Sequence, residues 1–217
     1  PLSIANYIWS DDNSKLLVFT NTRKVWRQNS RGDYWVLNLA NGKLTQLGKG
    51  LEEATLMFAK FSPDGARVAY VSKLNIYVED IASGKTTQLT KDGGSNIING
   101  TFDWVYEEEF ELNKSFAFSP DNLMIVFVRF DETAVPSYSF PLFAGQYPAN
   151  KEFEYYPGSY SYKYPKAGQK NSTVTVHSFD IKSKVIRKLD IPIKKDDYIP
   201  RIRFTKDENK LAVMTLN

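Results

Sequence analysis

The feature that most restricts the fold of this chain is a short phrase that recurs along it. The phrase reads FSPDG at 61–65, FSPDN at 118–122, WSDDN at 9–13 and, more weakly, FTKDE at 204–208. An apolar run of four residues follows each copy. Pro-Asp-Gly and related sequences favour tight turns, and runs of β-branched and aromatic residues favour strands. Each copy therefore predicts two strands joined by a turn.

A second phrase follows the first and completes the repeating unit. It reads IYVED at 76–80, SGK at 83–85 and TQL at 87–89, and it recurs at 34–47 and, less closely, at 174–189. Asn-Gly or Ser-Gly between two strand-forming runs is typical of a tight hairpin. One unit is thus four short antiparallel strands, seen with least interruption at 57–90. Such sheets cannot bury their faces alone, so their repetition predicts an all-β protein with the radial packing of a β-propeller.

The spacing of the phrases locates three insertions. About 10 residues are added around 21–33, and about 43 are added between the second and third strands of the third unit. A further segment, 93–115, lies between units. Long additions to a regular scaffold are where function is usually found. The chain holds about three units and the first strand pair of another, whereas propellers typically have four to eight blades. We therefore predict that residues 1–217 form part of a larger propeller.

Composition excludes several classes of function. The net charge is only +3, from 28 basic and 25 acidic residues scattered along the chain, which argues against a nucleic-acid surface. The absence of cysteine removes disulfides, thiolate metal sites and cysteine nucleophiles. We expect no metal and no cofactor. The longest notable apolar run, 123–128, is far shorter than the roughly 18–20 residues that span a bilayer, so we expect no membrane span in this chain.

The chain also lacks the residues of a hydrolytic centre. Its single histidine, His177, falls in a strand-like run at 174–179, where a structural role is the simpler interpretation. The sequence GSYSY at 158–162 lacks the last glycine of a Gly-x-Ser-x-Gly nucleophile elbow. We therefore predict no catalytic residue here. Nothing near Pro1 resembles a signal peptide, and because the first residue is not Met we expect the numbering to begin inside a longer protein.

The segment 93–115 contains an unusual acidic cluster. The sequence DWVYEEEFE at 103–111 has four acids within five residues, at 107, 108, 109 and 111, among aromatic neighbours. One interpretation is a solvated acidic turn whose aromatic residues pack on the scaffold. The other is a site for a cation, because two neighbouring carboxylates repel each other and a bound ammonium relieves that repulsion. In the insertion near residue 27, Arg27 is either a surface residue lying along Trp26 or a fork that grips a carbonyl or carboxylate.

At this point the sequence resembles a known family. The run DWVYEEE at 103–109 closely resembles the motif of the dipeptidyl peptidase IV family, which are serine peptidases of the prolyl oligopeptidase type. Trp26-Arg27 resembles the arginine segment upstream of that motif, and the sequences at 130–136, 138–140 and 164–168 resemble the stretch that follows it. The resemblance covers about residues 8–217 in the family's order. The acidic motif is highly specific, whereas the repeat phrases are shared by many propellers.

The resemblance implies a fold and an activity. It implies one part of an eight-bladed propeller of four-stranded antiparallel blades, with inserted loops, a short helix and an arm, that covers a C-terminal α/β-hydrolase domain outside this chain. The family releases N-terminal dipeptides with Pro or Ala at the second position. The long insertion resembles the family's arm, which we assign to 137–168; within 140–164, we take Phe143, Tyr147 and Tyr155 as candidate contacts of a homodimer.

The resemblance also implies roles for four residues. Glu108 and Glu109 match the pair that binds the free α-amino group of a peptide substrate. Arg27 matches the arginine that contacts the carbonyl of the substrate's first residue, and Phe110 matches a residue that lines the pocket for the first side chain. The partners so implied are peptides with a free N-terminus, and the implied location is periplasmic, secreted or at the cell surface.

Two functions from different classes are open at this stage. The chain is either the recognition part of a serine dipeptidyl aminopeptidase, or a non-catalytic propeller that serves as a protein-interaction module or an inactive relative. A nucleophile elbow with a later Asp and His in the remainder of the protein would favour the first.

Overall fold

The computed structural model describes residues 3–25, 27–145, 151–194 and 196–217. Its regular structure is mostly antiparallel strands, and three units of four strands follow one another along the chain. The first unit consists of β1 (Ile4–Trp9), β2 (Lys15–Val25), β3 (Gln28–Asn38) and β4 (Leu44–Gln46). The second consists of β5 (Leu56–Phe61), β6 (Arg67–Ser72), β7 (Asn75–Asp80) and β8 (Thr86–Gln88). Both units follow the repeat that the sequence predicts.

The third unit carries the insertions. Its four strands are β10 (Phe116–Phe118), β11 (Met124–Asp131), β14 (Thr173–Asp180) and β15 (Ile186–Lys188), and β9 (Ile97–Asn99) pairs with the far end of β11. Between β11 and β14 the chain forms the hairpin of β12 (Ser137–Leu142) and β13 (Gly158–Lys163), with a short 3₁₀ turn at Lys151–Phe153. A strand pair, β16 (Tyr198–Phe204) and β17 (Leu211–Leu216), follows the third unit.

The first phrase of the repeat forms the same turn in each of the first three units. In the second unit the Ser62 hydroxyl donates to the Asp64 carboxylate and accepts the N–H of Arg67 at 2.9 Å. The residue after the turn has a positive φ: 64° at Gly65, 57° at Asn13 and 64° at Asn122. Glycine and asparagine tolerate this conformation at the lowest cost. The phrase therefore recurs because each of its residues has a task in the turn.

The blades pack face to face and bury apolar side chains between them. One core cluster joins the first and second units, the next joins the second and third, and the last joins the third unit to β16–β17. Val68, Ala69, Tyr70 and Val71 on β6 are completely buried because both faces of this strand are covered. This arrangement confirms the prediction of an all-β, propeller-type fold.

One pairing departs from separate four-stranded blades. β2 and β3 extend beyond the body of the first unit. In this extension β3 also pairs with β5 of the second unit, where Arg31 and Gly32 lie opposite Met57 and Leu56. The first two units are thereby joined into one eight-stranded sheet. Arg27 lies in the turn at the tip of this β2–β3 hairpin. Among the residues that the structure describes, no helix has the length and apolarity needed to cross a bilayer.

Candidate functional site

The acidic motif lies on a short helix that the fold holds firmly. Helix α1 spans Trp104–Phe110 and begins at the N-cap Asp103, whose buried carboxylate accepts the N–H of Tyr106 at 3.0 Å and the hydroxyl of Ser172 at 2.6 Å. Asp and other short polar side chains stabilise helix starts in this way. The helix ends at Glu111, which adopts the left-handed conformation. Both helix ends are thus defined by local contacts.

Tyr106 anchors the helix to the third unit. It is 2% exposed, and its hydroxyl oxygen accepts the backbone N–H of Ile199 at 2.8 Å. Its ring packs edge-on against Phe130, with centroids 4.8 Å apart, and lies parallel to Phe102 at 5.4 Å. Because Tyr106 faces the core, the glutamates that follow it are directed towards the other sides of the helix.

The helix and the β2–β3 hairpin meet through an ion pair. Arg27 Nε lies 2.8 Å from Glu108 Oε2, although the two residues are far apart in the sequence. The Glu108 side chain is only 13% exposed, whereas that of Arg27 is 83% exposed. A largely buried carboxylate is thus paired with a guanidinium that remains accessible. The structure brings together two of the four residues that the sequence singles out.

Glu109 has different surroundings from Glu108. It is exposed and lines a cavity of about 430 Å³ together with Trp104, Tyr164 and Tyr198. Consecutive helical residues point in different directions, so the two glutamates do not share one face of α1. The two glutamates predicted as a pair thus have separate surroundings: Glu108 pairs with Arg27, and Glu109 borders a cavity.

Phe110 is partly buried and turned towards the core. Its ring packs edge-on against Tyr106 at 5.3 Å and against Tyr198 at 5.4 Å. These contacts fix the end of the helix against the strand β16.

Glu107 is a member of the site that the sequence did not single out. It lines a second cavity, of about 460 Å³, and burial together with the negative charge of Glu108 raises its pKa to about 7. A signal was available, because Asp103 and Glu107 are four residues apart and so lie on the same side of the helix. The electrostatic neighbour of Glu108 is therefore Glu107.

Another carboxyl, that of Glu132 in the third unit, lines the same cavity as Glu107. Glu132 is 8% exposed and follows β11 directly. Burial, reinforced by the nearby Asp103 charge and opposed by Lys163, raises its pKa to about 7. Burial likewise raises the pKa of Asp103. The cavity also has basic residues in its walls, including Lys24, Arg31, Lys73 and Lys163. The cavity therefore has charged groups of both signs among apolar residues such as Met57 and Phe102.

The base of the inserted hairpin packs on helix α1. Trp104 lies 4.2 Å from the Tyr164 ring and 6.4 Å from the Tyr162 ring, measured between centroids. Further out, Phe143 is 64% and Tyr155 is 85% exposed. The candidate contact Tyr147 lies outside the described residues, as does Trp26. The base of the arm therefore contributes to the walls of both cavities beside α1, through Tyr162 in one and Tyr164 in the other.

His177 has the surroundings of a structural residue. It lies on β14, half-buried, with its ring stacked on Phe127 at 5.5 Å, and burial lowers its pKa. Its Nε2 is 3.0 Å from the Thr175 hydroxyl. Within the described residues, no group of three or more His, Cys, Asp or Glu side chains is arranged to hold a metal ion.

Comparison with known proteins agrees with this architecture. Residues 10–217 match the family model described as the dipeptidyl peptidase IV (DPP IV) N-terminal region. The chain is 34% identical over 188 residues to a probable dipeptidyl-aminopeptidase B of Penicillium rubens, covering 84% of this chain and 21% of that protein. It is 35% identical over 185 residues to dipeptidyl peptidase 4 of Trichophyton rubrum, covering 84% of this chain and 23% of the relative.

A solved structure shares the fold closely. The crystal structure of Porphyromonas gingivalis dipeptidyl peptidase 4 superposes with a TM-score of 0.89 at 38% identity, covering 99% of this chain and 29% of that one. The chain thus spans about a fifth to a quarter of the curated relatives named above and under a third of this structure.

Proposed function

This chain belongs to the family of dipeptidyl peptidase IV N-terminal regions, and we propose that it supplies the peptide-recognition part of a serine dipeptidyl aminopeptidase. In this proposal the parent enzyme releases N-terminal Xaa-Pro and Xaa-Ala dipeptides. The nucleophile, base and acid of the reaction belong to a C-terminal α/β-hydrolase domain. The propeller part binds the start of the peptide and controls its access to that domain.

The observation that carries the proposal is the contact between Arg27 Nε and Glu108 Oε2 at 2.8 Å. A largely buried carboxylate can direct charge-assisted hydrogen bonds towards a peptide ammonium. The exposed guanidinium beside it has further N–H donors for the carbonyl of the same peptide residue. One short region thus offers an acceptor for the amino group and a donor for the first carbonyl.

Anchoring the ammonium determines which peptide bond of the substrate is cleaved. When the first amino group is held at Glu108 and Glu109, only a bond at a set distance along the peptide reaches the nucleophile; the family's distance is two residues. Fixing the substrate in this way lowers the barrier by reducing the entropy that is lost on reaching the transition state. An N-acylated peptide lacks the positive charge and leaves the carboxylates uncompensated, so the site rejects it.

The neighbouring residues refine this assignment. We assign Glu109, which borders the adjacent cavity, to the acidic surroundings of the ammonium. Phe110 supports the pocket for the first side chain through its contacts with Tyr106 and Tyr198. Glu107 adds negative potential behind Glu108 when it is ionised.

The test is steady-state kinetics of the full-length enzyme on an Xaa-Pro chromogenic substrate. Losing one partner of a desolvated charge pair costs about 2–5 kcal/mol, so Glu108→Ala should lower kcat/KM by about 30-fold or more. Glu109→Ala and Arg27→Met should each lower it as well. Wild-type activity on the N-acetylated substrate should be lower by a similar factor.

The matched control is Glu208→Gln, which neutralises an exposed glutamate outside the site. It should leave kcat/KM unchanged. Retention of wild-type kcat/KM in the Glu108→Ala, Glu109→Ala double variant would exclude the proposed role of the pair.

The proposal assigns the inserted arm to homodimerisation. Its exposed aromatic residues, among them Phe140, Phe143 and Tyr155, offer apolar area of the kind that interfaces bury. Deleting 140–164 from the full-length protein should give a monomer in sedimentation velocity. A dimer that persists after the deletion would refute this assignment.

We also propose a periplasmic, secreted or cell-surface location for the parent enzyme, from its family. Cell fractionation with an antibody against the propeller part tests this location. Recovery of the protein only from the cytosol would contradict it.

A further inference from the structure

A further cavity, of about 260 Å³, is also bordered by the β2–β3 hairpin. Val25 and Arg31 border the cavity that Glu107 and Glu132 line, whereas Gln28, Asn29 and Ser30 border this one. None of the residues that line it, all within the described part of the chain, is acidic. One hairpin therefore borders both a cavity lined by charges of both signs and a cavity lined by no carboxyl group.

Lys114 is the charged residue among those that line this 260 Å³ cavity. No described carboxylate lies within ion-pair distance of its ammonium, which instead lies 5.9 Å above the centre of the Phe116 ring. Burial, with a smaller contribution from the nearby Lys60, lowers its pKa to about 8. A partly buried ammonium without a counter-charge is costly, and an anion would remove that cost.

Ser30 provides an independent indication of a ligand. The residue is 8% exposed, and its hydroxyl is buried without a hydrogen-bond partner. Buried hydroxyl groups are nearly always hydrogen-bonded, so an orphan group of this kind requires an explanation. Because Ser30 lines the same cavity as Lys114, one acceptor could satisfy both groups.

The remaining walls define the size and chemistry of that acceptor. Amide side chains of Gln28, Asn29 and Asn113 offer further N–H donors, while Phe19, Ile8 and Phe58 offer apolar surface. The donors suit oxygen atoms that carry negative charge, and the apolar residues suit a short hydrocarbon chain. We propose that this cavity binds a small organic carboxylate, held by the Lys114 ammonium and the Ser30 hydroxyl. This site is separate from the proposed recognition of peptide amino groups.

The test measures the reactivity of Lys114 in the full-length protein. Only an uncharged amine attacks trace fluorodinitrobenzene, so labelling near pH 8 reports how much of Lys114 is unprotonated. Propionate is the probe, titrated to about 100 mM because so small a ligand binds with millimolar affinity at best. A bound carboxylate favours the ammonium, so labelling of Lys114, read by peptide mass spectrometry, should fall about tenfold or more at saturation.

Three comparisons make the result specific. Propionamide, the neutral analogue, and sodium chloride at equal ionic strength should give no protection of Lys114. Lys85, an exposed lysine in the turn after β7, should label equally under all conditions. In Ser30→Ala, which removes only the orphan hydroxyl and so keeps the fold, half-protection should need about tenfold more propionate, as expected for one lost hydrogen bond to a charged acceptor. Unchanged labelling of Lys114 in propionate, or equal protection by chloride, would overturn the proposal.

Discussion

The second four-stranded unit and the segment that follows it are neighbours in the chain but are built on different principles. In the unit β5–β8, the strand β6 buries four consecutive apolar residues and the turns repeat those of the other units. In the segment from β9 to β10, the buried side chains include Asn99, Thr101 and Asp103, and the helix has only seven residues. The first region is held by apolar burial, whereas the second combines the burial of Phe102 and Tyr106 with specific polar contacts of Asp103.

This difference explains where charge can be placed. A carboxylate within the apolar core of β5–β8 requires its own partners: the buried Glu79 accepts the Gly48 N–H at 2.9 Å and the Tyr70 hydroxyl at 3.1 Å. Glu107 of the inserted segment and Glu132, which directly follows β11, line one cavity, and the pKa of each is raised to about 7. The regular unit thus provides the apolar frame, and the insertion adds an ionisable group, Glu107, beside it.

The largest effect should come from removing an aromatic residue of the repeat phrase. Phe61 is 5% exposed between the first two units, so Phe61→Ala should lower the local unfolding free energy by about 3–5 kcal/mol. Hydrogen exchange of β5 and β6 amides in the full-length protein measures this change. Leu123→Ala, at a residue that is 55% exposed, is the control and should have little effect. An equal loss of protection in α1 would mean that the two regions unfold together.

The next effect concerns Glu132, the buried carboxyl that follows β11. The pKa of Glu132 rises from 4.5 to about 7 on folding, so the folded state binds this proton more tightly than the unfolded state. Stability contributed by the protonated form is present at low pH and declines as the pH rises from about 4.5 through about 7. Glu132→Gln should therefore be the more stable protein at pH 8, by about 2–3 kcal/mol, and similar to wild type near pH 4.

Thermal unfolding at the two pH values checks this prediction. Glu154→Gln, at an exposed glutamate, is the control and should show no pH-dependent gain. A stability difference between Glu132→Gln and wild type that is the same at both pH values would show that the pKa of Glu132 is equal in the folded and unfolded states.

Local features of both regions could be predicted from the sequence, whereas their mutual placement could not. The turns at 62–65 and 119–122 follow from residues that interact within a few positions of each other. The contact of Arg27 with Glu108 depends on the crossing of β3 to β5, which no local pattern records. Which glutamate faces which cavity depends on the residue at which α1 begins, since a shift of one residue turns every side chain by about 100°. For the same reason the sequence did not reveal the cavity around Lys114.

A smaller effect should follow from loosening the helix without disturbing the blades. Tyr106→Phe removes only the hydroxyl and leaves the buried N–H of Ile199 without a partner, which costs about 1–3 kcal/mol. Hydrogen exchange of the α1 amides should accelerate accordingly, while that of β6 stays unchanged. Tyr77→Phe, in the second unit, is the matched control and should leave α1 unaffected. Unaltered exchange in α1 would show that ring packing alone holds the helix.

The smallest effect tests why the turns of the regular unit repeat. At Gly65 an added Cβ would meet only ordinary contacts, the nearest at 3.6 Å, so any cost arises from the positive φ of 64°. Gly65→Ala should therefore destabilise the second unit by about 1 kcal/mol, the cost of the left-handed conformation. Gly65→Asn should cost less, because Asn13 and Asn122 occupy the same position in the other units. Exchange of the β5–β6 amides distinguishes the two variants. Equal costs for both would mean that space rather than backbone conformation selects the residue at this turn, since both side chains introduce a Cβ.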